Sequence, residues 1–223
     1  MVSPMTVDLP SSPLGEVDPQ FEKLALDVVA FTFGLPGTSI REKLLQNLTL
    51  DVCRSHTGLA FRMHLTAAKM HGVAYADPLA AIRFIAPHSG YPAAADALAR
   101  LKEVATEIGM DTSDLGEKPT PGAVDNVMRR LDTTDEWTTR FQEWQTSRAW
   151  SEDLLSRRER AIMALTSDVG QQTLDESFHW HVELALDAGL SKDDVRDVVR
   201  FCAEYGTARV AAALRELDNV LST

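Results

Sequence analysis

The chain has 223 residues, 44% of them hydrophobic and 25% charged, with a formal net charge of −11 at pH 7. That is the composition of an ordinary globular protein long enough to bury a sizeable core. The acidity argues against nucleic acid and anionic membrane surfaces as partners, and no apolar run approaches the roughly 18 residues a membrane-spanning helix needs.

Residues 1–20 lack the basic and apolar regions of a signal peptide and read as an N-terminal arm, with the cytoplasm as the default location. From Phe21 the spacing of Leu24, Ala25, Val28 and Val29 predicts a helix that ends near Gly34. Ser39-x-x-Glu42 reads as a capping box opening the next helix, which carries Leu44, Leu45, Leu48 and Val52. A short break at Thr57–Gly58 leads into a helix containing HLTAAKMHG, residues 64–72. Asp77-Pro78 reads as an N-cap followed by proline in the first turn. The helix it opens is interrupted at His88–Pro92, and a last helix runs to about Ile108. Residues 109–135, rich in turn formers and charge, read as a linker with a short amphipathic helix in it.

The second half repeats the scheme. Trp137–Trp150 is an aromatic counterpart of the first helix, Ser156-x-x-Glu159 is again a capping box, and residues 181–189 read HVELALDAG. Both nonapeptides fit His-x-x-x-Ala-x-x-x-Gly, as His64, Ala68, Gly72 and His181, Ala185, Gly189. The copies lie 117 residues apart, and the same offset carries Ser39, Arg41 and Glu42 onto Ser156, Arg158 and Glu159. A constant offset over such a length marks an internal duplication. On a helix the three positions fall on one face, so each copy aligns an imidazole, a methyl group that lets a neighbour approach, and a glycine suited to a left-handed C-cap. Ser191 caps a helix through Tyr205, and Val210, Ala213, Leu214 and Leu217 mark the last one. No stretch has the alternation of a strand. The predicted architecture is all-α, with repeats at 21–108 and 136–223.

The ordered set REKLL…HLTAAKMHG…APHSGYPAAADAL and RERAIMAL…HVELALDAG…CAEYGTARVAAAL resembles the carboxymuconolactone decarboxylase family and its alkylhydroperoxidase D-like relatives. The peroxidase branch carries Cys-x-x-Cys ahead of the signature histidine; here those positions are Thr57 and Ala60, then Leu174 and Ser177. Without two thiolates there is no dithiol–disulfide cycle. The decarboxylase branch's Arg-Gly-Ala after the histidine is replaced by Leu-Thr-Ala and Val-Glu-Leu, which leaves the substrate open. The resemblance further implies a homo-oligomer, with a trimer expected for a fused pair of units.

Histidine exchanges protons near neutral pH, so His64 and His181 are the candidate acid/base groups, with His181 favoured. The resemblance suggests Glu42 and Glu159 as relay partners, although the capping boxes explain both. Tyr205, which aligns roughly with His88, is an alternative orienting group for His181. His179, Ser177, Trp180, His88, Tyr205 and Arg62 are candidate substrate-binding residues. His179 and His181 diverge by about 200° around a helix and do not face one pocket together. Cys53 and Cys202 are isolated and read as free thiols, and no metal-ligand spacing or cofactor motif occurs. The expected function is a cofactor-independent lyase acting on a small carboxylated lactone or related acid. The alternatives are a cyclase or isomerase on the same scaffold, favoured by a wide apolar pocket, and a non-catalytic ligand-binding ring.

Overall fold

The computed structural model describes residues 12–116 and 135–222. Among these, every regular element is helical. A single turn, α1 (Leu14–Val17), precedes α2 (Pro19–Phe33), α3 (Ile40–Cys53), α4 (Leu59–Met70), α5 (Ala76–Ser89) and α6 (Tyr91–Glu107). After the linker come α7 (Glu136–Trp150), α8 (Arg157–Gln171), α9 (Glu176–Asp187), α10 (Lys192–Phe201), a 3-10 turn (Cys202–Tyr205) and α11 (Thr207–Ser222). The amphipathic helix expected within the linker lies outside the described residues.

The ends of these helices follow from local chemistry. Ser39 and Ser156 each accept the backbone N–H of the glutamate three residues on, and that glutamate reaches back to the serine N–H, so both capping boxes form. Asp18 caps α2 by accepting from the N–H groups of Gln20 and Phe21, which extends this helix two residues upstream of the expected start. Gly72 and Gly189 take φ of 77° and 90°, the left-handed conformation that stops α4 and α9. Asp77 differs from expectation. It sits inside the first turn of α5, where its carboxylate accepts the Ala74 N–H and pairs with Arg41. The helix expected to run from Ser191 through Tyr205 instead tightens into the 3-10 turn after Phe201.

The repeats are interwoven. Helices α3 and α8 pack against each other at the centre. The approach is close: a Cβ on Gly170 would come within 2.9 Å of the Leu50 side chain. Gln46 of α3 crosses to Thr166 of α8 at 2.9 Å and to the Val198 carbonyl of α10 at 3.0 Å. The first helix of each repeat packs on the other repeat, α2 against α10 and its 3-10 turn, α7 against α5. Matched aromatic pairs fix these swaps: Phe33 meets Phe201 edge-on at 5.2 Å, and Trp150 meets Phe84 edge-on at 5.2 Å. The main hydrophobic core and the smaller cluster around Phe33 and Phe201 therefore each draw on both repeats.

A reciprocal ion pair completes the pseudo-symmetry. The Arg41 Nε donates to Glu159 at 2.6 Å, and the Arg158 Nε donates to Glu42 at 2.7 Å. Both glutamates are buried and already engaged in their capping boxes. The arginines are about a third exposed, so solvent screening weakens each pair. Their larger effect is to keep a buried carboxylate from being left without a counter-charge.

The apolar face of α2 enters the core only towards its C-terminal end, where Phe33 is buried and Val29 packs beside it. Phe21 and Leu24 are half-exposed, Phe31 is almost fully so, and the inner side of the helix roofs a cavity instead. Among the described residues, no helix is long and apolar enough to cross a membrane. Cys53 and Cys202 are free thiols; burial pushes the Cys53 thiol up to about 12 and raises Cys202 as well.

Candidate functional site

Each signature histidine is held by an aspartate from the preceding helix. The ring Nδ1 of His64 on α4 lies 2.6 Å from Asp51 Oδ2 on α3, and Nδ1 of His181 on α9 lies 2.5 Å from Asp168 Oδ2 on α8. Asp51 and Asp168 each stand 13 residues before their histidine and are related by the repeat offset. Committing Nδ1–H to a carboxylate fixes the tautomer of the neutral ring and leaves Nε2 as its unprotonated nitrogen. The orienting carboxylate is thus aspartate, not Glu42 or Glu159, whose oxygens are occupied by caps and cross-repeat arginines.

Around this common pair the two sites differ. In site one, the Tyr205 hydroxyl arrives from the other repeat and donates to Asp51 Oδ1 at 2.9 Å. Asp51 is fully buried, and its two oxygens each hold one donor. His56 stacks on the Tyr205 ring at 6.2 Å. Glu204, beside Tyr205 on the 3-10 turn, is hydrogen-bonded to the Thr32 hydroxyl of α2. Burial lowers the pKa of His64, but the charge and hydrogen bond of Asp51, joined by the charge of Glu204, outweigh it and raise the value above the ordinary 6.5. Burial raises the Glu204 carboxyl, and the Asp51 charge adds to this, while the Thr32 hydrogen bond and His64 oppose. Burial and Asp51 hold Tyr205 protonated far above neutrality.

His64 opens on a cavity of about 820 Å³. Its roof is the apolar side of α2 (Phe21, Leu24, Val28 and Phe33 among others), and its floor includes Met63, Ala60 and Leu44. The polar side chains at its margin include His64, Asn47, Glu22, Glu204 and Tyr205; the described residues that line it include no lysine or arginine. The His64 side chain is 20% exposed, so its ring is reachable from the cavity.

Site two is closed. The His181 side chain is 1% exposed, and its Nε2 is buried without a hydrogen-bond partner. Trp180 stacks on the ring at 4.9 Å, and His88, from the first repeat, lies 5.3 Å away. Burial, reinforced by the neighbouring His181 charge and opposed by Asp168, holds His88 down at about 4, so it is neutral at pH 7. Asp168 accepts from Thr173 at 2.7 Å and Ser177 at 2.9 Å as well as from His181. The adjoining cavity is about 130 Å³ and is walled by Gln142, Gln145, Trp150, Glu176 and Trp180. Where α2 offers Ala25, Val28 and Val29, the offset positions in α7 are Gln142, Gln145 and Thr146, and Trp180 stands where Met63 does.

The sequence-derived candidates therefore divide. Tyr205 joins His64, not His181. His88, Ser177 and Trp180 gather around His181. His179 turns away and pairs with Glu216 on α11 at 2.5 Å, as its angular offset required. Arg62 projects outward to Glu107 at 2.7 Å and reaches neither cavity. Sequence reasoning missed Asp51, Asp168, Glu204 and Thr32. The two aspartates could have been found from the 117-residue offset, whereas Glu204 and Thr32 carry no repeat signal.

A model described as the carboxymuconolactone decarboxylase family matches residues 135–219, the second repeat. The first repeat lies outside that match and is tied to the second by the shared offset and the shared histidine–aspartate geometry. No curated protein matches the chain.

Proposed function

The second repeat belongs to the carboxymuconolactone decarboxylase family, and from that premise we propose that the chain is a cofactor-independent enzyme that moves protons on an uncharged, largely apolar carbonyl compound, with His64 as its acid/base group. The observation that carries this reading is the opening of an Asp51-oriented imidazole into the 820 Å³ apolar cavity. Cavities of this order hold ligands of drug size and are usually apolar with a few fixed polar groups. With Nδ1 given to Asp51, Nε2 is free for substrate. The raised pKa favours the protonated ring, which can donate to a carbonyl oxygen as negative charge develops there. Such a group serves enolisation, double-bond isomerisation or cyclisation without metal or organic cofactor. Tyr205 and Asp51 hold the ring in register and stabilise its charge.

The family's description favours a second reading, a lyase acting on a small carboxylated lactone. Against it, a substrate carboxylate in this cavity would meet Glu22 and Glu204 and no lysine or arginine from the described lining. The expected thiol-peroxidase incapacity follows from the cysteine positions already noted. We also propose, from the family, that copies of the chain assemble as a homo-oligomer. The half-exposed Phe21 and Leu24, together with Phe31 and Trp137, are the surfaces such assembly would cover, and light scattering on the purified chain gives the stoichiometry.

The catalytic test compares two probes in D2O: a decalin-sized ketone and 4-carboxymuconolactone. The wild-type chain and the His181→Gln variant are expected to incorporate deuterium next to the ketone carbonyl, whereas His64→Gln is not. Release of carbon dioxide from the lactone, with no exchange into a ketone that binds, would replace this reading with the lyase.

A further inference from the structure

We infer that site one holds a second proton carrier, Glu204, and that with His64 it shifts a proton between two carbons of a β,γ-unsaturated ketone. This rests on the reading of His64 just given and names the substrate class and the base.

Glu204 lines the same cavity as His64 but enters from the other repeat, on the 3-10 turn that ends α10. It forms no ion pair with lysine or arginine among the described residues. It caps no helix, so neither structural role that accounts for Glu42 and Glu159 accounts for it. Its partner is the Thr32 hydroxyl from α2. Thr32 Oγ1 also lies 3.2 Å from both the Val28 and Val29 carbonyls. A hydroxyl has one proton and can accept as well as donate. When Glu204 is ionised, Thr32 donates to it. When Glu204 is protonated, it donates to Thr32, whose own proton turns to a helix carbonyl. The pair thus accommodates both charge states, as a proton carrier requires. Burial makes the carboxyl a stronger base than an ordinary glutamate. The groups that bear on its titration are Thr32 on α2, His64 on α4 and Asp51 on α3, with Tyr205 and Cys202 beside it on the 3-10 turn, and Glu22 and His56 line the same cavity.

The chemistry closes without a co-reactant. The Glu204 carboxylate takes the proton from the carbon between the carbonyl and the isolated double bond. The C–H electrons form a dienolate, whose oxygen is held by the His64 Nε2–H. The carbonyl then re-forms, the γ-carbon takes the proton back from Glu204, and the double bond ends in conjugation. One C–H bond breaks and one forms, and nothing is oxidised or reduced. An uncharged substrate fits an acidic, apolar cavity, and a conjugating enone fits one acid beside one base. Site two has no counterpart: Ala149 stands at the offset position of Thr32, and the group opposite its histidine is the neutral His88.

The test uses the full chain and a β,γ-unsaturated ketone of decalin skeleton, followed by the ultraviolet absorbance of the conjugated product. Binding is measured separately by displacement of a neutral apolar dye. Glu204→Gln is expected to lower kcat about 10²–10⁴-fold with KM little changed, and Glu204→Asp to recover part of the loss. Thr32→Val removes a hydrogen bond that favours the ionised carboxyl, so the acid limb of the pH–kcat profile should move to higher pH; a merely structural threonine would leave that limb in place. Wild-type turnover in a folded Glu204→Gln variant, with His64→Gln inactive, would overturn the role of Glu204 and leave the histidine reading standing. A ketone that binds the wild-type chain but neither exchanges nor isomerises would overturn both. Failure of the ketone to displace the dye would overturn the substrate class.

Discussion

Replacing Asp51 with asparagine tests the hinge of the site. The carboxylate is fully buried and accepts two hydrogen bonds, from His64 at 2.6 Å and from Tyr205 at 2.9 Å. Asparagine keeps the shape but can accept on only one side; with its oxygen toward the imidazole N–H, its NH2 faces the Tyr205 oxygen, whose proton must then turn from position 51 to the Asn47 carbonyl, 3.4 Å away. One hydrogen bond to a charged group is lost, worth about 1.5–3 kcal/mol. That corresponds to roughly one to two orders of magnitude in the unfolding equilibrium. The pH dependence has a definite sign. His64 has a folded-state pKa above its unfolded value of 6.5, so its charged pairing stabilises fully below that value and is lost as pH rises through the folded-state pKa. The gap between wild type and Asp51→Asn in urea denaturation should therefore be widest in mild acid and narrow in alkali. The His64 ring resonance should titrate at lower pH in the variant. An unchanged urea midpoint together with an unchanged His64 titration would refute the pairing.

Three further outcomes follow from the same geometry. Arg158→Met leaves Glu42 buried without its cross-repeat cation and is expected to cost about 1–2 kcal/mol, reduced by the arginine's partial exposure, as a lowered melting temperature. Met63→Trp copies the residue of the tighter site into the wider one. It should weaken binding of a neutral apolar dye at least tenfold while changing stability by only about 1 kcal/mol; undiminished dye binding would place the ligand elsewhere. A fragment of residues 136–223 loses α3, α5 and the aromatic partner Phe84 of Trp150, so its circular dichroism should lack a cooperative thermal transition; a cooperative melt like that of the full chain would contradict the shared core.

The fold was largely legible because its determinants are local. Capping boxes at Ser39 and Ser156, glycines just past α4 and α9, and the 117-residue offset each have one dominant structural solution. The interweaving was not, because nothing in the spacing of Phe33 or Trp150 says which repeat's phenylalanine will meet it. The same limit applies to α2. Its helical period marks an apolar side but not whether that side packs into a core or roofs a void. For the site, the histidines stood out, but the resemblance points to the glutamates at the helix starts as their partners, whereas the carboxylates that touch the rings are those of Asp51 and Asp168. Those aspartates lie within α3 and α8, far from any motif, and only the repeat offset links them. His181 has the more crowded neighbourhood, and the crowding is what buries it: Trp180 stacks on its ring where site one has only Met63 at the offset position.

The most direct measurement is carbethoxylation of the native chain with diethylpyrocarbonate, mapped by peptide mass spectrometry with and without a bound apolar ketone. His64, reached through the large cavity, should react and be protected by the ketone. His181, 1% exposed with its Nε2 walled in, should react only after unfolding, while the half-exposed His179 reacts throughout and serves as the internal standard. Modification of His181 in the native chain, or of His64 without protection by a bound ketone, would contradict the assignment of the open site to the first repeat.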